Sequence, residues 1–385
     1  MSEESKTYDA GTIVVLEGLE AVRKRPAMYV GSAGERGLHQ LVFEAAEQAL
    51  NEILVGTAGQ VEITLTADGG VRVADDGTGL PVGVGHADRA DGPSMESRLT
   101  VLYCGARPVD RRSLSSRLSG VGLAVVNALS SRLMAEVQRD GSCRVLEYER
   151  GVAVVTSART GPTDGSGTVI TFWPDAEIFE TLEFSFDTLA GRFRQLAFLN
   201  RELDITLTDV RDLAAPRSVR FRFPGGVKDY IVEQSTPFHS DVIGFECECS
   251  EMEGTVEAAL CWCDSPEEQI ESYANNRPTA GGGTHQLGFH DGLAAALNAH
   301  ARERQLLSPS DPDFTHTQLG AGLAAVLSVK LDRPEFEGAT RDYLGNGPVR
   351  ACVAEAVREH LTTWLRADPA QATAVLARIS ATARH

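Results

Sequence analysis

Two acidic side chains stand in settings where a carboxylate can do chemistry. Glu44 lies in Phe43-Glu-Ala-Ala-Glu-Gln-Ala-Leu-Asn-Glu52, between two apolar residues and beside an apolar helical stripe. Asp75 lies in Val71-Arg-Val-Ala-Asp-Asp-Gly-Thr-Gly-Leu-Pro81, where an alternating strand runs into a glycine-rich turn. A helical carboxylate within hydrogen-bond reach of a water can take its proton. An ionised aspartate only accepts hydrogen bonds, so it selects an exocyclic amino group and rejects a carbonyl. Together the two segments point to a nucleotide pocket. Singly they are weaker signals: Glu44 could be a solvated helix residue, and Asp-Gly is a common turn.

The elements that must position these groups follow from periodicity. Leu38, Leu41, Val42, Ala45, Ala49 and Ile53 recur at helical spacing, which predicts an amphipathic helix over 37–54. Val61 to Leu65 and Val71 to Ala74 alternate as strands around the Asp68-Gly-Gly70 turn. A short helix runs from Val15 to about Lys24 and is broken by Pro26. Residues 83–117 are rich in Gly, Asp, Ser and Arg, with a helical island over 97–104. Such a loop in a compact domain reads as a lid. It closes on Gly120-Val-Gly122 and enters a helix at Leu123. Strands are expected up to Phe172, a helix over 185–199, and strands again over 204–263. A long helix over 285–304, a strand over 324–331 and an alanine-rich helical segment from Pro348 complete the chain.

Composition narrows the function classes. The 385-residue chain is 42% hydrophobic and 23% charged, enough for two or three domains with their own cores. A net charge of −18 argues against a dedicated nucleic-acid binder, which neutralises phosphates with basic patches. No apolar run approaches the roughly 18 residues of a membrane helix. Met1-Ser-Glu-Glu-Ser-Lys6 lacks a secretory layout, so a cytoplasmic location is expected. Seven cysteines make an odd number. Cys104, Cys143 and Cys352 read as small core hydrophobes. Cys247/Cys249 and Cys261/Cys263 form two C-x-C pairs on consecutive strands. A hairpin could gather four thiolates for zinc, but one intervening residue splays the sulfurs, and plain strand cysteines are the expectation.

The order of motifs resembles the GHKL ATPases: acidic helix, Asp75-Asp-Gly-Thr-Gly79, loop to Gly120-Val-Gly122, then Gly167-Thr168. Val15-Leu-Glu-Gly-Leu-Glu-Ala-Val-Arg-Lys-Arg-Pro-Ala-Met-Tyr-Val-Gly31 is similar to the opening of gyrase B and topoisomerase IV B subunits. Asn275-Asn-Arg-Pro278, Gly281-Gly-Gly-Thr-His285 and Phe336-Glu-Gly-Ala-Thr-Arg341 resemble the transducer domain of that family. The resemblance implies an α+β chain of α/β-sandwich type. A dimerisation arm would span 1–14, a Bergerat-type ATPase domain 15–228 and a ribosomal-protein-S5-like transducer 229–385. It implies ATP and Mg2+ as cofactors, Glu44 as general base, and Asp75 with Thr168 as readers of adenine. Gly79, Gly120, Val121, Gly122 and Arg139 would line the pocket. Tyr8, with Ile13, would wrap onto a second protomer and reach its nucleotide. Arg341 would meet the γ-phosphate.

Departures from the family pattern gather at the phosphate end. Gln48 stands where a magnesium-binding asparagine is expected, longer by one methylene, and magnesium demands near-ideal octahedral geometry. The lid reads Ser116-Arg-Leu-Ser-Gly-Val-Gly122 where two more glycines are expected, and Arg107 replaces a lysine. Ala339-Thr-Arg341 replaces Gln-Thr-Lys; arginine keeps the charge in another geometry. The chain carries no TOPRIM-type acidic metal cluster after the transducer, so strand cleavage is not expected from it. The drifted lid favours a stand-alone paralogue over a fragment. Two readings follow. One is a slow ATP-hydrolysing clamp that dimerises on ATP binding and meets DNA only indirectly. The other is a non-hydrolysing nucleotide-binding module that docks a partner such as a gyrase subunit. Neither involves a membrane.

Overall fold

A computed structural model describes residues 18–83, 92–104, 111, 114, 122–235, 241–265, 267–338 and 340–382. Eight strands build the first sheet: β1 (Val61–Leu65), β2 (Val71–Asp75), β3 (Ser130–Arg139), β4 (Ser142–Glu149), β5 (Val152–Pro162), β6 (Gly167–Pro174), β7 (Ile205–Asp209) and β8 (Arg217–Phe221). Their spatial order is β5-β4-β3-β6-β2-β1-β7-β8. The β1–β7 pair is parallel and the other pairs are antiparallel. The first helices are α1 (Gly18–Lys24), α2 (Ala27–Val30), α3 (Glu35–Leu54), α4 (Met95–Thr100), α5 (Leu123–Ala128) and α6 (Phe186–Leu199).

Helix α3 lies on β1, β2 and β6 because its apolar stripe meets the inward residues of those strands. Leu38, Leu41, Val42 and Ala46 are fully removed from water, as are Val61, Ile63 and Val71 beneath them. Each large side chain so buried contributes roughly 1.5–3 kcal/mol. Phe43, off the stripe, meets Phe193 of α6 edge-on with ring centroids 5.6 Å apart.

After α7 (Val227–Gln234) comes a second sheet of five strands, β9 (Ile243–Cys249), β10 (Gly254–Trp262), β11 (Gln269–Ala274), β12 (Arg277–Pro278) and β14 (Leu323–Leu331), ordered β12-β11-β14-β10-β9. A three-stranded sheet joins β13 (Gly282–Gly283), β15 (Phe336–Glu337) and β16 (Tyr343–Leu344). Helices α8 (Thr284–Glu303), α9 (His316–Gly320), α10 (Gly347–Ala367) and α11 (Pro369–Thr382) complete it. Strands β10 and β14 are almost wholly buried, which explains their unbroken apolar runs. Ala258, Leu260 and Trp262 face the core shared with α8 and α10, whereas Ala259 and Cys261 join the core of the first sheet.

The register of β9 against β10 bears on the cysteines. Cys249 is opposite Gly254 and Cys247 opposite Val256, while Cys261 lies one residue beyond Leu260, the partner of Ile243. The two C-x-C pairs therefore sit at opposite ends of the hairpin, and four thiolates do not converge.

A buried polar network joins the two sheets. Asn200 Nδ2 donates to Asn276 Oδ1 at 3.0 Å, and Lys330 Nζ donates to Asn200 Oδ1 at 3.0 Å. Arg201 donates to Glu257 Oε1 through Nη2 at 2.6 Å and Nε at 3.1 Å, and Val227 N–H adds a bond at 3.3 Å. Burial pushes the Glu257 carboxyl up, and Arg201 opposes that shift. Lys330, held low by burial, has Glu257 among its charged neighbours. Glu257→Ala should cost about 2 kcal/mol in chemical denaturation, since it strands donors on both sides of the junction. Glu257→Gln, which keeps an acceptor, should cost less.

Candidate nucleotide-binding site

Glu44 projects from the middle of α3 and is only 2% exposed. Gln40 Nε2, one turn earlier, donates to its Oε1 at 2.9 Å. The N–H of Gly122, at the N-cap of α5, donates to its Oε2 at 3.2 Å. The carboxylate is thus buried yet satisfied, and aimed at the point where the lid re-enters the fold.

Asp75 ends β2 opposite Thr168 of β6. Its Oδ1 accepts from Gly77 N–H at 3.0 Å, and Thr168 Oγ1 accepts from Leu80 N–H at 3.2 Å. Ala45, Ala49, Val73, Leu80 and Ile170 are all buried around this end of the helix and sheet. Burial raises the Asp75 carboxyl to about 6; the Gly77 bond opposes the rise and the Glu52 charge adds to it. Asp76 serves the backbone instead. Its Oδ1 accepts from Gly59 and Gln60 N–H at 2.7 and 3.0 Å and ties down the turn before β1. Strand alternation separates the two acids, since Asp75 shares the face of Val71 and Val73 and Asp76 follows the strand.

Glycine is required on both sides of Asp75. Gly79 adopts φ 76°, and a Cβ there would lie 2.4 Å from the Gln138 carbonyl. Gly167 adopts φ 141°, and its Cβ would lie 2.2 Å from the Asp75 carbonyl. Arg139, at the end of β3, donates through Nη1 to the Gly79 carbonyl at 3.1 Å and so clamps the turn.

The phosphate end holds groups that the motifs do not reveal. Arg98 of α4 donates through Nη1 to Gln48 Oε1 at 2.5 Å, and Gln48 Nε2 donates to Glu52 at 3.0 Å. A guanidinium therefore occupies the oxygen that a magnesium ion would need, and as arranged Gln48 does not fit a magnesium ligand. Asn51 exchanges two hydrogen bonds with the backbone of Leu114, at 2.9 and 3.1 Å, pinning the lid segment to α3. Arg111 reaches the second sheet, pairing with Glu248 at 2.7 Å and Asp332 at 3.2 Å. The spacing Glu44, Gln48, Asn51 puts Asn51 on the same helix face, a signal the sequence does carry. Nothing comparable marks Arg98 or Arg111.

Arg341 lies between β15 and β16, exposed and in a left-handed conformation with φ 53°. Among the described residues it makes no hydrogen bond or ion pair, and its charge acts on Arg277. Tyr8, Ile13, Arg107, Ser116, Arg117, Gly120, Val121 and Ala339 lie outside the described residues.

An acid-bearing helix on a mixed sheet, with an aspartate and a threonine side by side on neighbouring strands, defines an ATPase domain of the GHKL class. Residues 33–178 match the family model described as histidine kinase-, DNA gyrase B-, and HSP90-like ATPase, and residues 226–385 match the model described as DNA gyrase B. The gyrase B protein of Streptomyces coelicolor is 41% identical over 97% of this chain, and that of Mycobacterium tuberculosis is 39% identical over 96%. The chain spans 57% and 59% of the length of those two relatives. The 43K ATPase domain of Thermus thermophilus gyrase B, solved in complex with an aminocoumarin, superposes with a TM-score of 0.79. It is 32% identical, with 95% of each chain covered. The ATP-binding domain of Francisella tularensis topoisomerase IV, solved with a small-molecule inhibitor, gives a TM-score of 0.73 at 31% identity over 96% of this chain and 98% of that one. The chain belongs to the DNA gyrase B family. Among the described residues no helix is long and apolar enough to cross a membrane.

The Asp75 titration gives a signed expectation. Its carboxyl holds a proton to higher pH in the native state than in the unfolded chain, so its charged form costs stability near neutrality and that cost fades as pH falls towards 4. The charged form is the stronger acceptor from an amino group. Affinity for an adenine nucleotide should therefore be flat above about pH 7 and weaker, by up to about tenfold, near pH 5. Calorimetric titration across that range checks this; Asp75→Asn should bind weakly throughout and lose the dependence.

Proposed function

We propose that this chain binds ATP between α3 and the β2–β6 strands and hydrolyses it slowly, as the nucleotide-operated part of a dimerising clamp. The observation that carries the reading is a pair of carboxylates in separate settings, Glu44 buried on α3 and Asp75 half-buried at the end of β2. Asp75 and Thr168 stand where they can read the base, and Glu44 stands at the lid end with its second oxygen on a backbone N–H. For turnover, Glu44 would take the proton of a water aimed at the γ-phosphate. Arg98 supplies fixed positive charge beside Gln48, and Arg341 would add a second cation. The magnesium expected from the family would supply charge neutralisation on the phosphates. Two copies closing through the Tyr8 arm, and association with partner subunits of a topoisomerase, belong to the same reading.

The Arg98–Gln48 bond supports a second reading, a nucleotide-binding module with little or no turnover that docks a partner. Phosphate release separates the two. In the first, wild-type turnover is measurable and Glu44→Ala lowers it by about 10²–10⁴-fold while nucleotide affinity changes little. Turnover that Glu44→Ala leaves untouched would sink the hydrolytic reading. Gln48→Asn, whose shorter amide withdraws from Arg98, should raise turnover more than affinity. Light scattering with a non-hydrolysable ATP analogue should show a mass near twice the monomer if the clamp closes.

A further inference from the structure

The cysteines of β9 find a partner that the sequence does not suggest. Helix α10 packs against β9 and against the 3-10 turn Ser250–Met252 that follows it. That packing brings buried Cys352 to Cys249, with Sγ atoms 2.7 Å apart. The thiol of Cys352 also points at Glu251 Oε2, 3.8 Å away. One ligand atom from each of Cys249, Glu251 and Cys352 lies within 4.8 Å of the other two, an arrangement found at this place alone among the described residues.

We infer that Cys249, Glu251 and Cys352 form a site for a soft divalent cation, zinc above all. Zinc takes thiolate sulfur at about 2.3 Å and carboxylate oxygen at about 2.0–2.2 Å in a tetrahedron. Those lengths put two bound sulfurs about 3.8 Å apart and a sulfur and an oxygen about 3.5 Å apart. The sulfur–oxygen spacing is nearly met, and the sulfurs need to open by about 1 Å. Two thiolates select a soft or borderline metal over calcium or magnesium. Three protein donors leave one position for water, and exposed Glu251 gives the ion a way in.

Binding would release the protons of both ligand thiols as Cys249 and Cys352 become thiolates. The contrast is Cys261 and Cys263, with sulfurs 3.7 Å apart and, among the described residues, no third donor beside them. An ion at the first site would join the end of β9, the turn and α10. That strand end carries Glu248, which receives Arg111 from the lid segment.

Cobalt(II) added to the full chain, reduced with a phosphine and freed of metal, tests the site. A thiolate-to-cobalt charge-transfer band in the near ultraviolet, saturating near one equivalent and quenched by zinc, is the expected result. Cys352→Ser should abolish the band, and Glu251→Gln, a change at an exposed position, should weaken zinc affinity by about tenfold or more. Cys261→Ser should leave both unchanged. Absence of the band in the reduced chain overturns the site, as does a band that survives in both Cys352→Ser and Glu251→Gln. A Cys249–Cys352 disulfide in the peptide map, with no band after its reduction, likewise overturns it in favour of a redox pair.

Discussion

A buried carboxylate on a helix and a half-buried one on the strand beside it set the terms for the rest of this structure. Taking a charged carboxylate out of water is costly unless hydrogen bonds replace its solvent shell. Glu44 has the amide of Gln40 and the backbone N–H of Gly122; Asp75 has the N–H of Gly77. The Gln40 bond is internal to α3 and the Gly77 bond is internal to the turn after β2, so the Gly122 bond is the one that depends on how α3 sits against the rest of the fold. A shift of α3 would cost Glu44 that backbone donor and change its place relative to Asp75. The packing of that helix is therefore the constraint that sets the geometry of the pocket.

The second domain is joined to that constraint by polar and apolar means together. One face of the β10–β14 layer completes the core of the first sheet, and the other supports α8 and α10. Between them Asn200 bonds to Asn276 and Lys330, and buried Glu257 accepts from Arg201, whose side chain reaches solvent. A buried network of this kind is geometrically demanding, since each member left unpaired carries a desolvation cost. The lid segment is fastened to both sides, by Asn51 to α3 and by Arg111 to Glu248 and Asp332.

Much of this is legible in the amino-acid sequence. The helical stripe of α3, the alternation of β1 and β2 and the apolar runs of β10 and β14 are periodic signals, and each element appears within a few residues of its expected bounds. The family resemblance rests on motif order, which survives sequence drift because each motif serves one end of a ligand. Other features carry no local signal. Strand β11 and the short β12, β13, β15 and β16 owe their existence to neighbours. The alanine-rich tail divides into α10 and α11 at Asp368-Pro369. The cysteines are misleading in sequence, because spacing along two strands says nothing of their register, and Cys352 is far from Cys249 along the chain.

What the sequence by itself determined is the set of groups and the elements that carry them: a glutamate on an amphipathic helix, an aspartate at a strand end, and glycines where side chains would collide with backbone. Local periodicity and backbone sterics are sufficient for that. The tertiary structure alone decided that Arg98 takes the oxygen of Gln48 and that Cys249 meets Cys352. These are contacts between residues distant along the chain, and their geometry depends on how whole helices and sheets pack, which no short stretch of sequence encodes.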